Sequence, residues 1–209
     1  MKSNYTHVSM LLDRSGSMAS IKNDTIGGVN SFIQEQKKLP GEMTLTLCQF
    51  DTEYDTINDA VNIQSVKPLT DENFVPRGPT ALLDSAAKLI IETGKKIADM
   101  PEEKRPERVM VVIITDGEEN ASREQSLKSL ADMVKHQEEK YGWQFLYIGA
   151  NQDSFTEAGK MGMRGVNYAA NTRGTAAMYA AVTSNVSANR FAAPSEKVDL
   201  TQDDIDENN

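Results

Sequence analysis

The sequence predicts a three-layer α/β domain built on a doubly wound, mostly parallel, Rossmann-like sheet. Short apolar runs rich in Val, Ile and Leu alternate along the chain with segments whose apolar residues recur at helical spacing. Such alternation is typical of right-handed βαβ units, in which helices cover both faces of a parallel sheet. The chain has 209 residues and neither an internal repeat nor a second apolar core, so we expect one domain over residues 1–193.

The first half of the chain contains the clearest helical periodicity. The predicted elements are, in order, a strand over 8–12, a helix over about 20–38, a strand over 43–50, a short hairpin or third strand over 54–63, and a helix over about 81–99. Pro40 and Gly41 end the first helix, and a loop rich in Pro and Gly, residues 67–80, precedes the second.

The second half contains the strand that we place at the centre of the sheet. Residues 109–114 are six consecutive apolar residues, which indicates a strand covered on both faces. The elements that follow are a helix from a capping box at 122–125 to about 141, a strand over 143–149, a short helix from a capping box at 154–157 to about 162, an edge strand over 166–168 and a helix over about 172–190.

The last residues, 194–209, differ in composition from the rest. They contain six carboxylates and one lysine, so they contribute −5 to the net charge of −9, and they have few apolar residues. A segment of this kind buries too little apolar surface to offset the entropy of ordering. We therefore expect an acidic, flexible C-terminal tail over 194–209.

Composition also limits the function and the compartment. An acidic chain with a pI near 4.8 and no stripe of Lys and Arg is not expected to bind nucleic acid. No segment approaches the roughly 20 apolar residues of a membrane helix, so no membrane contact is expected. The single cysteine, Cys48, cannot form an internal disulfide, which fits a reducing compartment and predicts a cytoplasmic protein.

Oxygen-bearing side chains follow two of the predicted strands. Asp13, Ser15 and Ser17 come at alternate positions after the first strand, and Asp116 follows the strand over 109–114. Ligands of open α/β sheets bind at the carboxyl ends of strands, where the strand order reverses. If these two strands are neighbours there, a carboxylate and two hydroxyls meet a second carboxylate. Such a set of oxygens suits a hard cation such as Mg²⁺.

The pattern Asp-x-Ser-x-Ser resembles the metal-ion-dependent adhesion site of von Willebrand factor A (VWA) domains. Members of that family add a Thr from a second loop and an Asp from a third. The matching positions here are Thr80, in Arg77-Gly78-Pro79-Thr80, and Asp116, in Thr115-Asp116-Gly117. The resemblance covers residues 5–190, and the stretch 145–153 looks like the fifth strand and following turn of intracellular bacterial and phage members.

The resemblance implies a metal site formed by Asp13, Ser15, Ser17, Thr80 and Asp116, with Mg²⁺ as the ion and Mn²⁺ or Ca²⁺ as alternatives. It also implies a protein-binding module in the cytoplasm of a bacterium or a phage-infected cell. In such a module the two aspartates hold the ion partly through waters. An Asp or Glu carboxylate of another protein then completes the coordination.

Simpler interpretations of the same residues remain open. Asp13, Ser15, Ser17 and Thr80 are of the types that cap helix N-termini. Glu118, Glu119 and Asn120 either raise cation affinity by their negative charge or are solvated loop residues, and we expect the second. A solvated position near the rim of the site is likewise expected for Arg14 and Arg77.

Two other functions also remain open. One is a Mg²⁺-dependent phosphoryl-transfer or hydrolytic enzyme that uses Asp13 as nucleophile or ligand. No catalytic residue is predicted, because the only histidines, His7 and His136, are placed away from the motif. The other is a self-assembling structural protein, a homo-oligomer in which acidic tail residues such as Asp203, Asp204 or Asp206 ligate a neighbour's ion.

Overall fold

The computed structural model describes residues 1–150, 154–193 and 196–208 of the chain. Six strands form one sheet, and their bounds are β1 Lys2–Asp13, β2 Glu42–Phe50, β3 Tyr54–Asn62, β4 Pro106–Thr115, β5 Gln144–Gly149 and β6 Arg164–Asn167. The helices are α1 Lys22–Lys38, α2 Leu82–Ala98, α3 Leu127–Tyr141, α4 Ser154–Lys160, α5 Thr172–Phe191 and α6 Gln202–Asp206.

The order of strands in the sheet is β3-β2-β1-β4-β5-β6. β1 pairs in parallel with β2 on one side and with β4 on the other, and β5 and β6 continue the parallel pairing. Only β3, which is one continuous strand rather than a hairpin, runs antiparallel to its neighbour. The sequence prediction of a doubly wound, mostly parallel sheet is therefore confirmed.

Helices cover both faces of the sheet, so the molecule has three layers. On one face, α1 and α5 bury a core that includes Phe32, Met178 and Val182. On the other face, α2 and α3 pack over a second core around Leu89 and Leu130. The central strands β1 and β4 contribute side chains to both cores, which explains why β4 is a continuous apolar run rather than an alternating one.

The two largest differences from the predicted element boundaries are at β1 and α3. β1 begins at Lys2, six residues earlier than expected, because its polar first residues pair along β2 and β4. The helix predicted to begin at the capping box of residues 122–125 begins instead at Leu127. Its N-cap is Ser126, which forms a capping box with Ser129. The Ser-x-x-Gln pattern at 122–125 belongs to a loop.

The acidic C-terminal segment also differs from the flexible tail expected from its composition. Leu200 and Ile205 are buried, the latter on the short helix α6, which Thr201 caps. The side chain of Gln202 accepts a hydrogen bond from the N–H of Asn167 and donates one to its carbonyl, at the edge strand β6. Asn189 donates to the carbonyl of Val198 at 2.7 Å and accepts from its N–H. Composition alone does not reveal these anchoring contacts.

Within the described residues, no helix is long and apolar enough to cross a membrane. Residues 151–153, where the sequence resemblance places the turn after the fifth strand, lie outside the described residues.

Candidate metal centre

The two aspartates of the predicted site lie at the carboxyl ends of neighbouring strands. Asp13 is the last residue of β1, and Asp116 directly follows β4. β1 and β4 are paired up to Leu12 and Ile114, so the two strand ends lie side by side. This is also the point where the strand order reverses, since β1 is followed by β2 on one side and lies against β4 on the other. The predicted adjacency of these strands is confirmed.

The carboxylate of Asp13 is fully buried and held by two short hydrogen bonds. One oxygen accepts from the backbone N–H of Ser15 at 2.6 Å, and the other accepts from the Thr115 hydroxyl at 2.6 Å. The Thr115 hydroxyl also lies 3.1 Å from the N–H and the carbonyl of Gly117. These bonds fix the orientation of the Asp13 carboxylate relative to the loop that begins at Asp116.

The serine hydroxyls connect the two carboxylates. Ser15 Oγ and Ser17 Oγ lie 3.1 Å apart, and the Ser17 hydroxyl donates to Asp116 Oδ1 at 2.6 Å. Ser15 is buried, whereas Ser17 is exposed and Asp116 is partly exposed. The cluster therefore reaches from the buried end of β1 to the protein surface.

Thr80 belongs to the same cluster, because its hydroxyl and the oxygens of Ser17 and Asp13 all lie close to Gly117. A Cβ atom at Gly117 would lie 3.2 Å from Thr80 Oγ1, 3.5 Å from Ser17 Oγ and 3.7 Å from Asp13 Oδ2. Oxygens from three segments, of which the first two are 63 residues apart (Ser17 to Thr80) and the last two 36 (Thr80 to Asp116), thus surround one small volume. All five residues predicted for the site lie together.

The alternative that these residues cap helices fails for Ser15 and Thr80. Ser15 precedes a 3₁₀ turn over Gly16–Ile21, and its side chain makes no capping hydrogen bond. The N-cap of α2 is Ala81, again without a side-chain cap, so the Thr80 hydroxyl is not used there. Both residues are buried. Ser15 Oγ lies 3.1 Å from Ser17 Oγ, and Thr80 Oγ1 lies 3.2 Å from the Cβ position of Gly117.

The electrostatics of the site favour a cation. Burial raises the pKa of Asp13 to about 6, against the lowering effect of its hydrogen bonds from Thr115 and Ser15, and the nearby Asp116 raises it further. Burial also raises the pKa of Asp116, which its hydrogen bond from Ser17 opposes. Within the described residues, no lysine, arginine or histidine forms an ion pair with either carboxylate. One buried and one partly buried carboxylate, next to neutral hydroxyls and without a basic partner among the described residues, fit a divalent ion.

Backbone hydrogen bonds lock the first two loops of the site together. The N–H of Gly16 donates to the carbonyl of Gly78, and the N–H of Arg77 donates to the carbonyl of Arg14. Gly78 adopts a φ of +66°, a conformation that L side chains rarely take, which accounts for glycine next to Pro79. The position of Thr80 is therefore tied to the Asp13–Ser17 loop through main-chain contacts.

Of the three residues after Asp116 that were expected to be solvated, Glu118 is exposed as expected, whereas the side chains of Glu119 and Asn120 bind the backbone of the Thr80 segment. Asn120 Oδ1 accepts the Thr80 N–H at 2.9 Å, while the Thr80 carbonyl accepts from the N–H groups of Asn120 and Ala121. Glu119 accepts from the N–H of Leu83 and from three donors within its own loop. Sequence reasoning missed these positioning roles, because the donors come from a segment about 40 residues away.

The expectation of a solvated Arg14 is also wrong. Arg14 is buried, and its guanidinium donates to Asp51 at 2.9 Å and to Asp55 at 2.5 Å. Arg77 is half exposed and shares Asp51 with it, also at 2.9 Å, and reaches Glu53. Although burial raises the pKa of Asp51, the N–H of Glu53 and the two arginines lower it overall. This ion cluster fixes the outer wall of the Asp13–Ser17 loop.

Comparison with solved structures identifies proteins of the same fold. The chain superimposes on a von Willebrand factor type A protein from Catenulispora acidiphila with a TM-score of 0.58 at 14% identity, over 90% of this chain and 43% of that one. For manganese-loaded TRAP protein from Plasmodium vivax the TM-score is 0.53 at 17% identity, over 78% of this chain and 65% of that one. For the ArnB paralog VWA2 from Sulfolobus acidocaldarius the TM-score is 0.51 at 14% identity, over 90% of this chain and 45% of that one.

The chain thus spans less than two thirds of the length of each of these structures. No protein-family model matches the sequence, and no curated protein matches it. At these identities the likeness concerns the fold.

Proposed function

Starting from a chain with the VWA fold, we propose that it is a divalent-cation-dependent protein-binding module. Asp13, Ser15, Ser17, Thr80 and Asp116 would hold the ion, with Mg²⁺ as the expected metal and Mn²⁺ or Ca²⁺ as alternatives. An Asp or Glu carboxylate of a partner protein is the expected ligand from outside. The manganese in the Plasmodium vivax TRAP structure supports a divalent ion on this fold.

The observation that carries the proposal is the balance of charge at the point where the loops meet. Two carboxylates and three neutral hydroxyls surround it, and Ser17 and Asp116 open it to the surface. A divalent cation held here partly through waters would keep much of its positive charge and would supply an electrophilic centre able to accept a further anionic oxygen. The residues of this chain orient that centre and leave its outer side accessible.

The positions of the histidines support a binding role over a catalytic one. His7 lies in β1 six residues before Asp13, and its ring bonds to Thr44 and Ser9. His136 lies on α3 against Tyr141. Neither histidine contacts an oxygen of the site in the described part of the chain, so neither is placed to act as a general base there.

A pull-down tests the proposal directly. The tagged protein is used to capture partners from a lysate in Mg²⁺, in EDTA, and in Mg²⁺ with the variant Asp13→Ala. We expect a partner that is retained only by the wild type in Mg²⁺. Asp99→Ala is the matched control, because Asp99 is an exposed aspartate that follows α2 at the other end of the sheet. A partner captured equally in all conditions would show that the ion is not the contact.

The two alternatives have their own tests. Turnover of phosphoesters with Mg²⁺ that is lost in Asp13→Ala would replace the binding module by an enzyme. Light scattering with and without residues 196–209, with EDTA as control, tests assembly through the acidic tail. Asp204 in that tail already accepts hydrogen bonds from the N–H and the hydroxyl of Thr201.

We also propose a cytoplasmic location, which the single buried Cys48 supports and cell fractionation tests.

A further inference from the structure

A cavity of about 290 Å³ lies next to the metal centre, on the side of α2, α3 and α4. Gly117 forms part of its wall, the same residue whose Cβ position lies 3.2 Å from Thr80 Oγ1. Leu82 and Leu83, which follow Thr80 by two and three residues, form another part. The cavity and the metal centre are thus separated by little more than the backbone at Gly117, so one ligand segment can reach both.

The cavity combines apolar walls with a negative rim. Leu82, Leu127 and Met161 supply aliphatic surface, and Leu127 is partly exposed at the mouth. Glu118, Glu119 and Glu157 supply three carboxylates, and no lysine or arginine is among the lining residues that the structure describes. An aliphatic stem that ends in a positive charge matches both properties.

The carboxylates differ in how far they are already engaged. Glu119 is taken up by backbone and hydroxyl donors, and Glu157 pairs with Lys160 at 2.6 Å. Glu118 is exposed and makes no hydrogen bond or ion pair within the described residues. When a divalent ion balances Asp13 and Asp116, the charges of Glu118 and Glu119 remain without a cation.

A tyrosine hydroxyl without a partner in the fold is a second feature of the cavity. Tyr147, on β5, is only 4% exposed and lines the cavity. Its hydroxyl has no hydrogen-bond partner among the residues that the structure describes. This oxygen is not among the fully enclosed unpaired polar atoms of the described chain, so it is open to the cavity and can bond a ligand from outside the fold.

The same residues do not suit a second metal ion. No group of three His, Cys, Asp or Glu side chains in the described chain is arranged to hold one. Both oxygens of Glu119 already accept N–H or O–H donors, and Glu157 has its lysine. An organic cation, which needs fewer charged ligands and gains from the apolar walls, fits better than a hard ion.

We propose that this cavity is a subsite for a long basic side chain, lysine in size, from the partner whose carboxylate reaches the metal centre. The proposal rests on the proposed function for the source of the side chain. The partner would therefore carry an acidic residue and a lysine or arginine close to it, with the stem along Leu82 and Leu127 and the charge at Glu118 and the Tyr147 hydroxyl.

The cavity is tested first with a small probe that needs no metal. We titrate n-butylammonium, the lysine side-chain analogue, into protein labelled with ¹³C at its methionine methyl groups and follow Met161 by NMR, in Mg²⁺ and in EDTA. We expect a saturable shift of Met161 with n-butylammonium and a much weaker one with uncharged 1-butanol. Equal binding of both probes, or no shift of Met161, would overturn the proposal.

Two variants locate the charge and the hydroxyl. Glu118→Gln should weaken n-butylammonium binding about threefold, within the range of an exposed ion pair, and Tyr147→Phe should weaken it without loss of fold. Glu103→Gln is the matched control, because Glu103 is also exposed but lies before β4, at the other end of the sheet. If Glu103→Gln weakens binding as much as Glu118→Gln, the probe is responding to overall charge, and the subsite is refuted.

Peptides separate this proposal from the proposed function. We compare peptides that contain one Asp and, one to three residues away, either lysine or the apolar analogue norleucine. Mg²⁺-dependent binding of any of them supports the proposed function, and a several-fold preference for lysine that Glu118→Gln removes supports the subsite. Binding of n-butylammonium without any Mg²⁺-dependent peptide binding would refute the proposed function and keep the cation subsite. Mg²⁺-dependent peptide binding without a lysine preference would refute the cation subsite and keep the proposed function.

Discussion

At the residue scale, the carboxylate of Asp13 lies in an energetically unfavourable environment. Its carboxylate is fully buried, its pKa is raised to about 6 by that burial, and no basic side chain pairs with it in the described chain. Such a charge lowers the stability of the folded state, and a cation that binds beside it only in the folded state would restore that stability.

We therefore predict that Asp13→Asn stabilises the metal-free protein at pH 7 and abolishes its response to Mg²⁺. The folded pKa lies above the unfolded value of 3.8, so stability is lost as the pH rises through about 6, and the variant avoids a cost of up to about 3 kcal/mol. The Asn amide can still donate to the Thr115 hydroxyl, which donates on to the Gly117 carbonyl. Thermal unfolding in EDTA and in Mg²⁺ measures both effects; a lower melting temperature for the variant in EDTA would contradict the prediction.

His7 is the second residue whose titration matters, and it lies away from the metal centre. Its ring is buried between the hydroxyls of Thr44 and Ser9, and burial, aided by the charge of Lys96, lowers its pKa to about 4. The neutral ring is the form that the fold accommodates, with one nitrogen donating and the other accepting.

We predict that His7 makes the protein less stable in mild acid. The unfolded pKa is near 6.5, so the unfolded chain binds the proton first, and stability falls as the pH drops from 6.5 towards 4. Between pH 7 and pH 4.5 the wild type should lose about 2 to 3 kcal/mol more than His7→Gln. Urea unfolding in EDTA at several pH values gives this difference. Parallel pH profiles for the two proteins would refute the assignment.

At the scale of elements, the loop over residues 116–126 is the part that holds Thr80 in place. Asn120 and Glu119 bind the backbone at the start of α2, and Asp84 of α2 accepts the N–H groups of residues 123–125 in return. The loop and the helix thus support each other, and Thr80 lies at their junction. These hydrogen bonds explain how a polar loop fixes the position of Thr80.

Asn120→Ala should lower Mg²⁺ affinity by about tenfold or more, as is common for groups that orient metal ligands. The change removes the acceptor of the Thr80 N–H but no predicted ligand. Calorimetric titration with Mg²⁺ measures the affinity, and Asn23→Ala, at an exposed position of α1, is the control. An unchanged affinity in Asn120→Ala would mean that the backbone contacts of Thr80 suffice.

The close packing of α1 against α5 requires glycine at position 28 but not at the neighbouring position 27. A Cβ at Gly28 would lie 2.0 Å from the ring of Tyr179, which is buried on α5, whereas a Cβ at Gly27 would meet nothing within 4 Å. The absence of a side chain at Gly28 is therefore required by packing. At Gly27 it only costs helix propensity.

These two glycines give a matched prediction about stability. Gly28→Ala should destabilise the protein by about 1–3 kcal/mol, because the ring of Tyr179 must move out of a packed interface. Gly27→Ala should stabilise it by about 0.5–1 kcal/mol. Urea unfolding of both variants in EDTA measures the free energies of unfolding without a metal contribution. Changes of the same sign in both variants would contradict the packing described here.

At the scale of the whole molecule, the fold brings distant segments together at the candidate site and places the C-terminal segment against the edge strand β6. The site combines residues 13–17, 80 and 116, which meet only because β1 and β4 are neighbours. At the other end of the sheet order, β6 is an edge strand, and the segment over 196–208 lies against it through Gln202. Covering an edge in this way blocks pairing with other chains.

The C-terminal segment therefore contributes to stability in the structure, although its composition predicts a flexible tail. Ile205→Asp places a charge at a buried position on α6 and should cost about 1–3 kcal/mol and open the segment to proteases. Asp203→Asn, at an exposed position of the same helix, is the control. Urea unfolding and limited proteolysis give the result. Equal stability of Ile205→Asp and the wild type would favour the flexible tail.

The sequence by itself determined the class of fold and the chemistry of the candidate site, because both are written in local patterns. Strand and helix periodicities predicted the order of the main elements. The motif after the first strand indicated Asp13, Ser15 and Ser17, and the resemblance to VWA domains added Thr80 and supported Asp116. Only the tertiary structure decided which polar side chains have hydrogen-bond or ion-pair partners and which apolar side chains of the tail are buried. Asn120, Glu119 and Arg14 have partners about 35–40 residues away, Leu200 and Ile205 find a surface to bury, and the hydroxyl of Tyr147 is left facing a cavity. Such facts depend on contacts between distant segments, which no local pattern encodes.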